Sequence, residues 1–316
     1  MTSMDKMKVI DCIKYGPPEV LRLTEADIPV PKADEVLVEV KASAVTASDL
    51  FIRGLEIPFR LKLMIRLFFG FTRPRRTALG LVFSGTVKST GSNVSRFSPG
   101  DEVYGMTGFR LGAYAEYTCV KEKDSTVGCI ALKPKNVSFE EATAAVYGGS
   151  LALQYMDMGE IQKGQRIVVY GASGTSGTIA VQYGKYLGAH VTAVCSGRNI
   201  DFVKSLGADT VLDYTVTDTV EEGVKFDFVL DSVGGWKTSK LKESCRRALK
   251  DRKKYISIDD GPLKLDSQRL MLIKKLTEEG HIKPVLDKIF SMEEIVEAHR
   301  YVEGGHKRGG VAVRIG

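Results

Sequence analysis

The stretch "VVYGASGTSG", residues 168–177, decides how this chain is read. A valine-rich run stops at Gly171, small residues follow, and a helical pattern begins at Thr178, Ile179, Ala180, Val181, Gln182 and Tyr183. A strand, a turn without bulk and an immediate helix form the setting that raises a glycine motif above chance. The spacing Ala172-x-Gly174-x-x-Gly177 fits a dinucleotide fingerprint. Ala172 permits the tight turn, Gly174 lets backbone amides approach a pyrophosphate, and Gly177 lets the helix pack close to the sheet. Ser173, Thr175 and Ser176 complete the turn. The helix N-terminus offers N–H groups and partial positive charge to an anion. A tight turn that binds nothing is the other reading of the same residues.

The next strand pattern, "HVTAVC", ends in Ser196-Gly197-Arg198-Asn199. In a strand–helix–strand nucleotide unit this tip falls about 20 residues beyond the glycines, beside the adenosine ribose. NAD-preferring sites place Asp or Glu there. Here the tip offers the Ser196 hydroxyl and the Arg198 guanidinium, and arginine can hold a phosphate through two hydrogen bonds. Asp201 is the nearest acid, and it falls in the first turn of the next helix, where it suits the helix dipole. The expected cofactor is therefore NADPH. Lys185, on the intervening helix, is a further phosphate candidate. The bland alternative makes Arg198 a solvated loop residue.

Outward from this motif, strands and helices alternate. "QRIVVYG", "AHVTAVC", "DTVLDY", "FDFVLDSVG" and "KYISID" read as strands, with helices at "TSGTIAVQYGKYLG" and "NIDFVKSLG" between the earlier ones. Such alternation predicts an α/β fold with a doubly wound parallel sheet. Upstream, "SFEEATAAVYGGSLALQYMDM" has helical spacing, with Ser138 and Glu141 as a capping box. The residues before about position 130 read as β-rich. "DEVLVEVKASAV" alternates acidic and apolar residues, and Gly85, Gly91, Pro99-Gly100 and Gly105 punctuate the strands that follow. "GAYAEYTCV" reads as one more strand. From about Leu270 the chain shows two helical patterns around "GHIKPVL" and closes with "GGVAVRI", a terminal strand expected to return to the first domain. The expected domains are 1–131 with 270–316, and 132–269.

Composition sets bounds. The chain has 316 residues, long for one core and comfortable for two. Hydrophobic residues make up 43% and charged residues 27%, a globular profile rather than a disordered one. No run approaches the apolar length that spans a bilayer, and residues 1–10 lack the apolar core of a signal peptide. The five cysteines form no C-x-x-C pair, which fits free thiols in a reducing cytoplasm. The net charge of +6 suits anionic small molecules and argues against nucleic acid, which calls for concentrated basic stripes.

The chain resembles the medium-chain dehydrogenase/reductase superfamily, in its zinc-free quinone oxidoreductase and enone reductase branch. The segments that carry the resemblance run almost end to end: "KASAVTASDLFIRG", "LGLVFSGTV", "PGDEVYG", "GAYAEY", "VVYGASGTSGTIAVQYGKYLGA", "SLGADTVLDY", "FDFVLDSVGG" and "GHIKPVLDKIFSMEEIVEAHRYVEGGHKRGGVAV". The resemblance implies a GroES-like β-barrel domain beside the Rossmann domain, a homodimer, and hydride transfer to a small-molecule substrate. It adds Tyr214 as a wall of the adenosine pocket. Where zinc-dependent members carry ligands, this chain has Thr46, Leu81 and, near the third position, Tyr147. "MTGFRLGAY" follows "DEVYG" with no cysteine. These residues cannot make a thiolate–imidazole site, so no metal is expected.

Thr46 and Phe51 stand where members of the branch often have Asn and Tyr. Thr46 either donates to the substrate oxygen or bonds its own backbone. Asp49 and Arg53 match a D-x-x-x-R-G pattern and either act in the cleft or form a structural ion pair. Tyr147 either faces the nicotinamide or packs. Residues 57–80 mix aromatics with arginines and read as a lid over a greasy substrate, a peripheral membrane contact through 57–76, or plain packing. The resulting expectation is an NADPH-dependent, zinc-independent quinone or enone oxidoreductase. The rivals are a non-catalytic NADPH-binding protein, with a structural or RNA-binding role like that of zeta-crystallin, and an alcohol dehydrogenase-like enzyme.

Overall fold

A computed structural model describes residues 5–55, 66, 67, 70, 71, 74, 75, 77–235 and 238–316. The three readings of residues 57–80 fall largely outside the described residues. The chain divides into two compact units, one of Met1–Val146, Leu265–Lys274 and Leu286–Gly316, the other of Tyr147–Lys264 and Lys275–Val285.

The first unit is built on a seven-stranded sheet. Its strands are β3 (Glu35–Ala44), β4 (Val82–Thr90), β5 (Glu102–Met106), β6 (Tyr117–Lys121), β7 (Cys129–Leu132), β13 (Leu286–Ser291) and β14 (Gly310–Arg314). The order is β13-β14-β3-β4-β5-β7, with β6 also on β3. One edge of β3 is shared: Glu35 to Glu39 pair with β6, and Ala42 to Ala44 pair with β14. β1 (Lys6–Cys12) and β2 (Leu21–Asp27) form a separate antiparallel pair. Alternation along β3 sends Val36, Val38 and Val40 into one core with Phe83, Val103, Tyr114, Ile295 and Val313. α1 (Ala47–Gly54) follows β3 directly, and α7 (Ile295–Glu303) lies between β13 and β14.

β13 is a strand that sequence periodicity does not reveal. Asp287 and Lys288 interrupt its alternation, and a register shift between Leu286 and Lys288 accommodates them. "GAYAEYTCV" is strand only from Tyr117, with an isolated bridge from Ala115 to Val9.

The second unit holds a five-stranded parallel sheet in the order β10-β9-β8-β11-β12. These strands are β8 (Arg166–Tyr170), β9 (His190–Cys195), β10 (Thr210–Asp213), β11 (Phe228–Asp231) and β12 (Tyr255–Ser257). β-Branched residues buried on both faces build it: Ile167, Val168, Val169, Val191, Val194 and Val229 are almost wholly inaccessible. Its described helices are α3 (Thr175–Tyr186), α4 (Ile200–Ser205) and α5 (Lys240–Arg247). α2 (Phe139–Asp157) and α6 (Ser267–Glu278) each contribute to both units. The Ser138–Glu141 capping box starts α2, with both reciprocal bonds present at 2.8 and 3.1 Å. The strand order reverses beside β8, between β9 on one side and β11 on the other. In open parallel sheets ligands bind at that switch, outside the carboxyl ends of the strands.

Candidate cofactor and substrate site

The turn after β8 is made by Gly171. Its φ of +82° lies in the left-handed region, whereas Ala172 is fully buried and carries no such strain. The tight-turn role expected of Ala172 therefore belongs to the residue before it. The amides of Gly171 and Ala172 both donate to the Val194 carbonyl at 3.0 Å, stitching the turn to the end of β9. Gly174 caps α3 with extended backbone and brings no side chain to its first amides. A Cβ on Gly174 would come no nearer than 3.4 Å, from the Gly171 carbonyl. A Cβ on Gly177 would lie 2.1 Å from that same oxygen. Space beside Gly174 is thus open, while Gly177 is pressed against the turn. An anion fits this cradle because backbone amides and the helix dipole both face it.

Several neighbours complete the rim. Ser173 accepts a hydrogen bond from Asn199 Nδ2 at 3.1 Å, and the same nitrogen reaches Ser196 Oγ at 3.2 Å. The glycine turn and the β9 tip are thereby joined. Arg198 is exposed at that tip. The Tyr214 amide donates to the Cys195 carbonyl at 3.1 Å, and its half-exposed ring stands 6.5 Å from that of Tyr170. Thr175 and Ser176 open α3, and Thr175 abuts α2: a Cβ on Gly148 would lie 2.5 Å from the Thr175 carbonyl. Tyr147, half-buried, is the next residue along α2. Lys185 lies in the last turn of α3, about 15 Å along the axis from its start. Its ammonium binds both carboxylate oxygens of Asp209 at 2.8 Å. Lys185 is therefore not part of the cradle.

Two features of this rim escaped sequence reasoning. The turn after β11 touches the glycine turn, since a Cβ on Gly171 would meet Val233 Cγ2 at 2.5 Å. Buried Asp231 holds that turn by accepting from the Val233 and Gly234 amides, at 3.1 and 3.2 Å. It is itself held by Lys242 at 2.6 Å and by the Tyr255 hydroxyl at 2.9 Å. The signal was present as an acid ending the apolar run "FDFVLD". The second feature is Asp213, whose carboxylate accepts from the Gly197 amide.

In the first unit Thr46, Asp49 and Arg53 come together on α1. Thr46 caps the helix, and its hydroxyl accepts from the Asp49 amide at 3.3 Å. The Asp49 carboxylate accepts from the Thr46 amide at 2.9 Å and from its hydroxyl at 2.6 Å. Both side chains are buried. The hydroxyl hydrogen of Thr46 is thus committed to Asp49, so Thr46 serves as a helix cap and not as an outward donor. Burial raises the Asp49 carboxyl to about 6, against the pull of Thr46 and of the Gly80 and Leu81 amides. Arg53, 1% exposed, donates to the Gly16 carbonyl at 2.7 Å and pairs with Glu303 of α7. Tyr114 stands between Asp49 and His299, with its hydroxyl 3.3 Å from His299 Nε2. Burial, then the Arg53 charge, lowers His299 to about 3.

Leu81 directly precedes β4, and its side chain has no atom that could ligate a metal. Among the described residues no group of three or more His, Cys, Asp or Glu side chains could hold a metal ion. All five cysteines are buried free thiols. No helix of the described residues is long and apolar enough to cross a membrane.

Comparison with known proteins agrees with this geometry. Residues 32–131 match the alcohol dehydrogenase GroES-like domain, and residues 177–280 and 262–313 match zinc-binding dehydrogenase models. The chain is 32% identical to a 2-methylene-furan-3-one reductase of Solanum lycopersicum over 98% of its own length and 79% of that protein's. It is 30% identical to an NADPH-dependent alkenal/one oxidoreductase of Arabidopsis thaliana, over 95% and 77% of the two chains. The quinone oxidoreductase structure from Coxiella burnetii superposes with a TM-score of 0.82 at 26% identity, covering 99% of this chain and all of that one. The glycine turn at the switch of a parallel sheet, the GroES-like match and these relatives together show that the chain belongs to the medium-chain dehydrogenase/reductase superfamily, as an oxidoreductase of its quinone oxidoreductase-like branch.

Proposed function

We propose that the chain is an NADPH-dependent, zinc-independent reductase of quinones or α,β-unsaturated carbonyl compounds. The observation that carries this reading is the open cradle at Gly174 joined through Asn199 to the Ser196–Arg198 tip. Dinucleotide binding is assigned to the unit of Tyr147–Lys264 and Lys275–Val285, and substrate chemistry to that of Met1–Val146, Leu265–Lys274 and Leu286–Gly316, in place of the expected 132–269 and 1–131 with 270–316. Bound in the cradle, NADPH would supply a hydride to an acceptor whose conjugation spreads the resulting charge onto oxygen, a reaction that needs no Lewis acid.

The chain's own residues bind and orient. Backbone amides of the first turn of α3 hold the pyrophosphate, with the Ser173, Thr175 and Ser176 hydroxyls beside them, while the Ala172 and Gly174 amides hold the turn itself. Ser196 and Arg198 hold the ribose phosphate, and Tyr214 walls the adenosine. Tyr147 packs toward the nicotinamide end. Thr46, Asp49 and Arg53 fix the start of α1. Zinc independence rests on Thr46 and Leu81, which stand at two ligand positions and offer neither thiolate nor imidazole. The buried free thiols support a cytoplasmic protein, and the family supports a homodimer.

The deciding experiment is NADPH oxidation over a panel of quinones and enones in the presence of a chelator. Turnover of at least one acceptor class is expected. Tight NADPH binding with no turnover of any acceptor would overturn the reading in favour of a non-catalytic role.

A further inference from the structure

Gly197 lies between the two residues assigned to the ribose phosphate, and two side chains outside that assignment hold its loop. On one side is Asp213, the last residue of β10. Its carboxylate accepts from the Gly197 amide, and a Cβ on Gly197 would lie 2.5 Å from Asp213 Oδ2. Its other oxygen accepts from the Thr215 amide at 2.9 Å and the Thr215 hydroxyl at 2.7 Å. On the other side Asn199, 3% exposed, ties Ser196 Oγ to Ser173 Oγ through one nitrogen. The Asn199 amide also closes the turn onto the Ser196 carbonyl at 2.8 Å.

An acid at this edge of a nucleotide site suggests either a ribose ligand or a group that repels a phosphate. The hydrogen bonds of Asp213 favour a third role. Its carboxylate accepts from Thr215 and from the Gly197 amide, and what it fixes is the peptide between Ser196 and Arg198. We propose that Asp213 and Asn199 are positioning residues that set the preference between NADPH and NADH, by holding Ser196 and Arg198 where a ribose phosphate binds. This inference rests on the proposed role of that tip. Glycine at position 197 leaves room for this carboxylate, which a Cβ would displace from its place beside the loop.

The test is equilibrium binding of NADPH and NADH to the full chain, by fluorescence, for Asp213→Ala, Asp213→Asn and Asn199→Ala, with Arg198→Ala as reference. Asp213→Ala and Asn199→Ala should each raise the NADPH dissociation constant about tenfold, the scale of one or two lost hydrogen bonds. NADH should stay within about twofold. Asp213→Asn should restore part of the NADPH affinity, since its amide oxygen can accept from Gly197, whereas its NH2 then faces the Thr215 amide and that bond is lost. Tighter NADPH binding by either Asp213 variant would show that the carboxylate opposes the phosphate, and would overturn the proposal. So would equal losses for both cofactors, or no loss. Asn199→Ala acts on the loop from its other side and keeps the test decisive should Asp213→Ala not fold. If Arg198→Ala leaves the NADPH to NADH ratio unchanged, the tip itself has been misassigned. If Arg198→Ala changes that ratio and the other variants do not, the positioning role alone fails.

Discussion

At Gly174 an added methyl group makes only an ordinary contact, 3.4 Å from the Gly171 carbonyl oxygen, and at Gly177 it meets that oxygen at 2.1 Å. The two glycines therefore fail differently. Gly174→Val should abolish NADPH binding and leave the melting temperature near the parent's, because an extended cap backbone accepts valine. Cofactor affinity within threefold of the parent would show that the cradle holds no phosphate. Gly177→Ala should instead destabilise the fold by about 1–3 kcal/mol, as overpacking does, and a melting temperature unchanged from the parent would contradict the close approach. At the β9 tip, Arg198→Ala should weaken NADPH by about 1.5–3 kcal/mol, the scale of a charged hydrogen bond, and leave NADH nearly unchanged. Competitive titration reads both; equal losses would make Arg198 a surface residue. The residue scale was also where the sequence was most legible. Glycines, hydroxyls and the Arg198 tip announce themselves by type and spacing. Asp213 does not, because only strand pairing brings β10 beside the β9 tip, and pairing is not written in local spacing.

At the scale of elements, α1 is held by α7 through Arg53 and Glu303, and through Asp49, Tyr114 and His299. This polar contact has a pH signature. Asp49 titrates at about 6 in the fold against an ordinary 3.8, so the folded state keeps a proton that the unfolded state has released. Its contribution to stability therefore falls as pH rises through that window. His299 runs the other way: lowered to about 3 from 6.5, it makes stability rise with pH, because below 6.5 the unfolded state takes up the proton first. The two trends oppose each other between about pH 4 and 6. Asp49→Asn removes one of them. Relative to the parent, its stability should climb by about 2 kcal/mol between pH 4 and 6, read by denaturant unfolding. A flat difference would mean that Asp49 titrates normally. None of this partnership was legible in the sequence. Asp49 and Arg53 fit a short pattern, but His299 and Glu303 lie some 250 residues away and carry no local mark. The capping box of α2, by contrast, was legible because both partners sit within four residues.

At the scale of the molecule, the fold class was legible because the parallel sheet repeats its pattern and its central strands β8, β9 and β11 are buried on both faces, so each of these shows as an apolar run. The first unit was less so. Its strand β13 is interrupted by Asp287 and Lys288 and recognisable mainly by its pairing with β14. The proposed metal independence belongs to this scale as well, since the ligand positions come from separate elements. Purified protein should carry far less than one zinc per chain, and chelators should leave NADPH oxidation unchanged; stoichiometric zinc lost together with activity would overturn the mechanism.

The shared edge of β3 has a consequence for how the chain is made. Residues 42–44 wait on the ribosome for partners at 312–314, some 270 positions later. The second unit is complete once residue 285 has emerged. Synthesis therefore finishes the middle of the chain before its beginning, and β3 carries half an open edge until β14 arrives. Nascent chains stalled after residue 285, with a linker to clear the exit tunnel, should protect the second unit from protease and leave the first exposed.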